Sequence, residues 1–159
     1  MSDTPAAATR DDLGFLLAKA SQRWNERLQE RFAAAGFPEV RASYGSILVP
    51  LFEEDGLRMG ELAARARLSK QTMTTMVRLL ERDGLVERRP DPSDARAARI
   101  FLSRRAQEFR PAAEAVLADL DSEVRRALGA DATEQLRTAL RRLAGYASSS
   151  IIRATSSGR

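Results

Sequence analysis

The feature that most constrains this chain is an apolar repeat near its middle, where Met73, Met76, Val77 and Leu80 recur at intervals of three, four and seven. That spacing puts all four on one buried face of a helix. The opposite face carries Gln71, Thr74, Thr75 and Arg78, with Lys70 at the helix start. None of these is apolar and none is acidic. Ser69 is placed to cap the helix, its hydroxyl accepting from a backbone N–H of the first turn. Gly84 closes it as a glycine just past a helix end does. Ahead of it, Leu62 and Ala63 give a shorter helix an apolar side, and Leu68 sits in the turn between. Behind it, residues 85–89 and 99–102 are strand candidates. The tip between them, Pro90-Asp91-Pro92-Ser93-Asp94-Ala95-Arg96, is rich in turn formers and charge. Helix, turn, helix, strand, hairpin, strand is the order of a helix-turn-helix with a β-hairpin wing, spanning about 40–103.

The flanks read as long helices. From Asp11, the residues Leu13, Leu17, Ala20, Trp24, Leu28 and Phe32 keep one apolar face over about five turns, and Asp11 and Asp12 suit the positive end of the helix dipole. Gly36 and Pro38 punctuate its end. A second helix is expected over 40–54, with Tyr44, Ile47, Leu48, Leu51 and Phe52 apolar and with Pro50 bending it or ending it early. Ser103 can cap a long helix with the stripe Phe109, Ala113, Val116, Leu117, Leu120, Val124 and Leu128, kinked at Pro111 and closed by Gly129. Asp131 and Glu134 form a capping box for a last helix, with the stripe Leu136, Leu140, Leu143, Ala147 and Ile151. The predicted fold is therefore mainly α with a small β wing. One domain is expected over 11–152, between a disordered tail at 1–10 and a frayed one at 153–159.

Charge is unevenly placed. Residues 58–110 hold 13 basic and 7 acidic groups, a net +6, although the chain as a whole carries only +4. Basic clustering on one module is the footprint of a polyanion partner. The plain alternative is an arginine-rich composition from a GC-rich genome. No apolar run approaches the roughly 20 residues needed to cross a bilayer. The first residues have neither a basic nor an apolar leader segment, so a cytoplasmic location is expected. Cysteine and histidine are both absent, which removes Ser-His-Asp and Cys-His catalysis and the usual ligands of zinc and copper. No glycine-rich phosphate loop occurs, and Glu53-Glu54 lies in a loop without an aromatic pocket. An enzyme, a metal and a cofactor are accordingly not expected.

The run GLVERRPDPSDAR at 84–96, followed by Ile100-Phe101-Leu102-Ser103, resembles the multiple-antibiotic-resistance regulator (MarR) family. The resemblance extends over roughly 12–150, and its specific residues fall within 58–103. It implies a dimeric winged-helix transcription factor, most often a repressor, binding double-stranded DNA at an inverted repeat and released by a small molecule. It also implies that the terminal helices, about 11–35 and 103–152, form a dimerisation region with those of a second subunit. The bland alternative is a monomer that folds these helices onto its own winged module. Three positions depart from the family pattern. Arg67 stands where a glycine is common, Arg58 where a capping Thr or Ser is common, and residues 104–107 replace a small, glycine-containing segment.

A recognition helix lying in the major groove offers base-edge contacts from Lys70, Gln71, Thr74, Thr75 and Arg78, and its cap Ser69 is counted with them as DNA-binding. The competing reading is a merely solvated helix face, which leaves the lack of Glu and Asp there without a reason. Arg96 resembles the wing arginine that the family inserts in the minor groove, where a narrow A·T-rich groove attracts a cation. Asp94 would hold that guanidinium in place, or cap its own hairpin backbone; the two roles are compatible. Ser43, Arg65 and Arg67 are candidate phosphate contacts, which position without choosing sequence. Trp24, Tyr44 and Phe109 are aromatic residues on the helices that line the family's ligand cavity, although aromatic residues at helical spacing are more often core than ligand box. With no thiol and no imidazole, sensing of oxidants or metals is excluded, leaving a small organic ligand or none. A winged helix serving only as a protein–protein interaction module is the competing function. A salt-dependent gel shift separates it from DNA binding.

Overall fold

In the computed structural model, residues 11–146 are described. The chain forms two compact units, Met1–Val116 and Leu117–Arg159. The expected tails, and Ala147 and Ile151 of the last stripe, lie outside the described residues.

In the first unit, α1 (Leu13–Ala34) starts at Asp12, whose carboxylate accepts from the Phe15 N–H at 2.9 Å. Leu28 and Phe32 are buried, whereas Leu13, Leu16 and Leu17 are 64%, 47% and 39% exposed. The apolar face foreseen over five turns is therefore covered only in the last two. The helix expected over 40–54 is shorter. A 3-10 turn, Ala42–Tyr44, leads into α2 (Gly45–Glu53), which runs through Pro50 and buries Ile47, Leu48 and Leu51. Proline at the sixth position of α2 still loses an amide donor, but only one turn follows it.

Next come β1 (Leu57–Arg58), α3 (Met59–Ala66), α4 (Lys70–Arg82), β2 (Val86–Asp91) and β3 (Asp94–Leu102). The three strands form one antiparallel sheet in the order β1-β3-β2. Leu57 pairs with Ile100 and Arg58 with Arg99. Val86 pairs with Leu102, and the register slips between Pro90 and Asp91. The wing is thus longer than the sequence suggested. Its strands run out to Asp91 and Asp94, and only Pro92 and Ser93 remain as the tip. Leu62, Met73, Val77, Leu80, Leu85 and Ile100 are fully or almost fully buried beneath it.

The caps follow local chemistry. Ser69 Oγ accepts from the Thr72 N–H at 3.1 Å and opens α4. Gly84, at φ +75°, lets the Leu85 N–H reach back to the Leu80 carbonyl at 2.8 Å and so closes it. Arg67, at the end of α3, has φ +53°. It is the one non-glycine residue at positive φ among the described residues. A side chain there crowds its own backbone, at a cost near 1 kcal/mol. Arg67→Gly is therefore expected to raise the unfolding free energy by about 0.5–1 kcal/mol, read as a higher urea midpoint at unchanged m-value.

Ser103 joins the wing to α5 (Arg104–Leu128). Its N–H donates to Leu85 O at 3.0 Å and its hydroxyl to Gly84 O at 2.7 Å. The same hydroxyl accepts from Ala106 N–H at 3.1 Å, and its carbonyl accepts from Gln107 N–H at 3.1 Å. The helix is continuous through Pro111. Phe109 is buried with its ring edge-on to Phe32 and Phe37, at centroid distances of 4.9 and 5.2 Å.

In the second unit, α6 (Ala130–Tyr146) begins one residue past the end of α5. The expected capping box is not what opens it. Asp131 lies inside the first turn, and Thr133 is buried with its hydroxyl donating to Gly129 O at 2.7 Å. Arg137 pairs with Asp121 at 2.7 Å. Leu136, Leu140 and Leu143 stay 43%, 42% and 46% exposed.

Candidate nucleic-acid interface

The candidate interface lies on α4 and the wing. Lys70, Gln71, Thr75 and Arg78 are exposed and Thr74 is half-buried. Thr74 and Thr75 donate their hydroxyls back to the carbonyls of Lys70 and Gln71, at 2.9 and 3.1 Å. With those donors used, each side chain has only its methyl group and its oxygen lone pairs left to offer. Ser69 Oγ is likewise occupied, donating to Thr72 Oγ1 at 2.9 Å and capping the helix. The side chains of Lys70, Gln71 and Arg78 make no hydrogen bond or ion pair among the described residues. The acidic residue within α4, Glu81, is matched by Arg88 at 3.3 Å. The exposed face is therefore cationic and rich in unused donors.

The other end of α4 is pinned from below. Tyr44 is fully buried, and its hydroxyl donates to Asp83 Oδ2 at 2.5 Å. Burial, and then the bond to Asp83, raise the Tyr44 hydroxyl above its ordinary pKa. Hydrogen bonds from Arg82 and Tyr44 hold the Asp83 carboxyl below its ordinary range.

In the wing, Asp94 Oδ1 accepts from the backbone N–H of Arg96 at 3.0 Å. This is the hairpin-capping role. The Arg96 guanidinium has no carboxylate partner among the described residues and is exposed. The carboxylate that does gather arginines is Asp91, which the sequence reading left as one charge among several in the tip. Its side chain is fully buried. It accepts from Ser93 Oγ at 2.7 Å, Ser93 N–H at 2.8 Å, Arg58 Nε at 2.6 Å and Arg99 Nε at 3.0 Å. The Ser93 bonds first, then the two guanidiniums, hold its carboxyl far below the ordinary range. An Asp-Pro-Ser turn was the only signal in the sequence; its arginines come from other strands.

The remaining candidates are placed as follows. Ser43 is exposed in the 3-10 turn, where its carbonyl accepts from Ser46 Oγ at 3.0 Å. Arg65 is paired with Glu54. Arg67 is exposed at the end of α3. Of the three aromatic residues, Tyr44 and Phe109 are packed in the core and Trp24 is half-buried on α1. Residues 104–107 hold the chain beside them. Arg105 lies over Phe37 at 4.1 Å, donates to Glu39 Oε1 at 2.5 Å and also bonds Gly36 O. The Arg105 bond lowers the Glu39 pKa. Among the described residues, no cluster of carboxylates could hold a metal ion, and no helix is long and apolar enough to cross a membrane.

A three-helix core with a hairpin beside its last helix defines the winged-helix class. Residues 43–98 match the MarR family. No curated protein matches the chain, but solved structures of transcriptional regulators do. A MarR-family regulator from Rhodococcus sp. RHA1 is 25% identical, with 87% of this chain and 96% of that one covered and a TM-score of 0.67. The PcaV regulator from Streptomyces coelicolor, solved with its natural ligand, is 22% identical, with coverage of 91% and 99% and a TM-score of 0.74. The CouR repressor, solved on a 23-mer DNA duplex, is 23% identical, with coverage of 90% and 99% and a TM-score of 0.73. Over residues 43–98 the chain is thus similar to the MarR family, and the solved structures it resembles are those of transcriptional regulators.

Proposed function

We propose that this regulator is a homodimeric, sequence-specific repressor that binds an inverted repeat in duplex DNA and is released by a small organic ligand. The observation that carries the DNA reading is the α4 face. Lys70, Gln71 and Arg78 stand there with unspent donors, no carboxylate interrupts them, and Arg96 is exposed on the wing. Gln71 can pair bidentately with adenine and Arg78 with guanine, and the methyls of Thr74 and Thr75 suit thymine. Ser43, Arg65 and Arg67 take phosphates, Arg65 by exchanging Glu54 for DNA. Arg96 enters the minor groove, with Asp94 setting its backbone. The DNA-bound CouR repressor and the ligand-bound PcaV regulator have the same fold and support this reading by likeness.

Two-fold symmetry would place the recognition helices about 34–36 Å apart, one turn of DNA. The exposed leucines of α1 and of α6 supply the apolar surface for the second copy. Since Tyr44 and Phe109 are core residues, Trp24 is the aromatic residue best placed to meet a ligand. As the only Trp, it is also the natural fluorescent reporter of one.

Selection and footprinting on genomic DNA test this directly. Arg96→Ala should weaken binding at every site and lower the slope of log K against log salt by about one. Gln71→Ala or Arg78→Ala should cost about 1–3 kcal/mol on the selected site and far less on random DNA. Equal losses on both DNAs for all three variants would refute the division between base and backbone contacts.

A further inference from the structure

Arg58 occupies the cap position of α3 but makes no side-chain capping bond there. Its guanidinium goes elsewhere. Nε donates to the buried Asp91 carboxylate at 2.6 Å, and Nη2 donates to Ser93 Oγ at 2.9 Å. Arg58 and Arg99 are direct partners across β1 and β3. Two like charges placed side by side repel, and Asp91 between them reverses the sign of that interaction. Arg99 completes the knot by donating Nη1 to Gly56 O at 3.2 Å. Ser93 is half of the two-residue tip, and the next residue, Asp94, sets the backbone of Arg96. An unbroken run of charge-assisted bonds therefore leads from the first residue of the helix-turn-helix to the wing tip. A Thr at position 58 would cap α3 and leave the tip untied.

We propose that Arg58 is a positioning residue for the wing: by tying the start of α3 to Asp91 and Ser93 it fixes where Arg96 stands relative to α4 before DNA is met. The inference rests on the duplex-DNA reading above and adds to it the origin of the wing's orientation. A hairpin held in advance gives up less freedom on binding than a loose one. Asp91 keeps Arg99 and Ser93 when Arg58 is removed, so the fold survives the test.

The experiment compares wild type, Arg58→Thr, Arg96→Ala and the double variant. Affinity is read by fluorescence anisotropy on the footprinted duplex, and amide hydrogen exchange is read at Ser93 and Arg96. Arg58→Thr is expected to bind about tenfold more weakly in the wild-type background and less than about twofold more weakly in the Arg96→Ala background, because the two act through one contact. Exchange at both amides should quicken while the melting midpoint stays within about 2 °C, the new cap offsetting the lost ion pair. An equal loss in both backgrounds would show that Arg58 meets DNA directly or acts by bulk charge. Faster exchange without loss of affinity, or loss of affinity without faster exchange, would also overturn the proposal. Failure of the wild-type protein to bind any duplex would overturn the DNA reading itself. Binding indifferent to Arg58 would overturn only its positioning role.

Discussion

Leu140→Glu is expected to yield monomers that no longer hold the inverted repeat. Leu136, Leu140 and Leu143 share one face of α6, and each is more than two-fifths exposed. Three leucines at this spacing form the kind of stripe that a partner helix covers. If two copies of the chain meet there, Leu140 is buried twice, once from each subunit. Burying an unpaired charge in such a seam is among the costliest single changes. A loss of about 3–5 kcal/mol per dimer raises the dissociation constant by a factor on the order of 10²–10⁴. Sedimentation at micromolar protein should show the monomer, with unchanged helical content by circular dichroism. DNA affinity should fall with it, because two linked half-site contacts become two independent ones. A dimer that persists at wild-type strength would place the subunit contact away from this face.

Gly56→Ala is the second large effect, this time on the fold of a single chain. Gly56 sits at φ +72°, and a Cβ added there would come within 2.6 Å of Phe101 Cε1 and 2.9 Å of Cζ. The φ alone costs about 1–2 kcal/mol for a residue with a side chain. The ring must also swing aside, giving up the stacking of Arg89 over its face at 4.5 Å, an interaction worth about 0.5–1 kcal/mol. The total is about 1.5–3 kcal/mol, or about 3–12 °C in melting midpoint for a chain of this size. Phe101→Ala in the Gly56→Ala background should recover the steric part and leave the backbone part. Full additivity of the two changes would mean the ring and the new methyl never collide.

The helix-turn-helix was legible because its signals agree. The apolar period of α4 runs for three turns between a serine that caps and a glycine that closes. β1 was not legible, since two residues carry no period and exist as a strand only through pairing with Ile100 and Arg99. The outer half of β3 hid for a related reason. Ala95, Arg96, Ala97 and Ala98 have little strand preference of their own, and pairing with β2 extends them. The exposed polar face of α4 could be named from the helix period. Asp91 could not, because its arginine partners lie 33 and 8 residues away and only the sheet brings them together. Arg58 shows the same limit from the other side. Read along the chain it is a poor cap, and read in space it is half of an ion pair.

Ser103 carries a mechanical consequence. Four hydrogen bonds meet on this one residue, two donated to the carbonyls of Gly84 and Leu85 just past α4 and two accepted from the first turn of α5. Rotating the start of α5 against the winged helix means breaking them together, at a net cost of about 2–6 kcal/mol. The junction therefore has no play. A torque applied to the first turns of α5 is handed on to α4 as rotation rather than absorbed as bending, so α4 and the root of the long helix turn as one rigid lever.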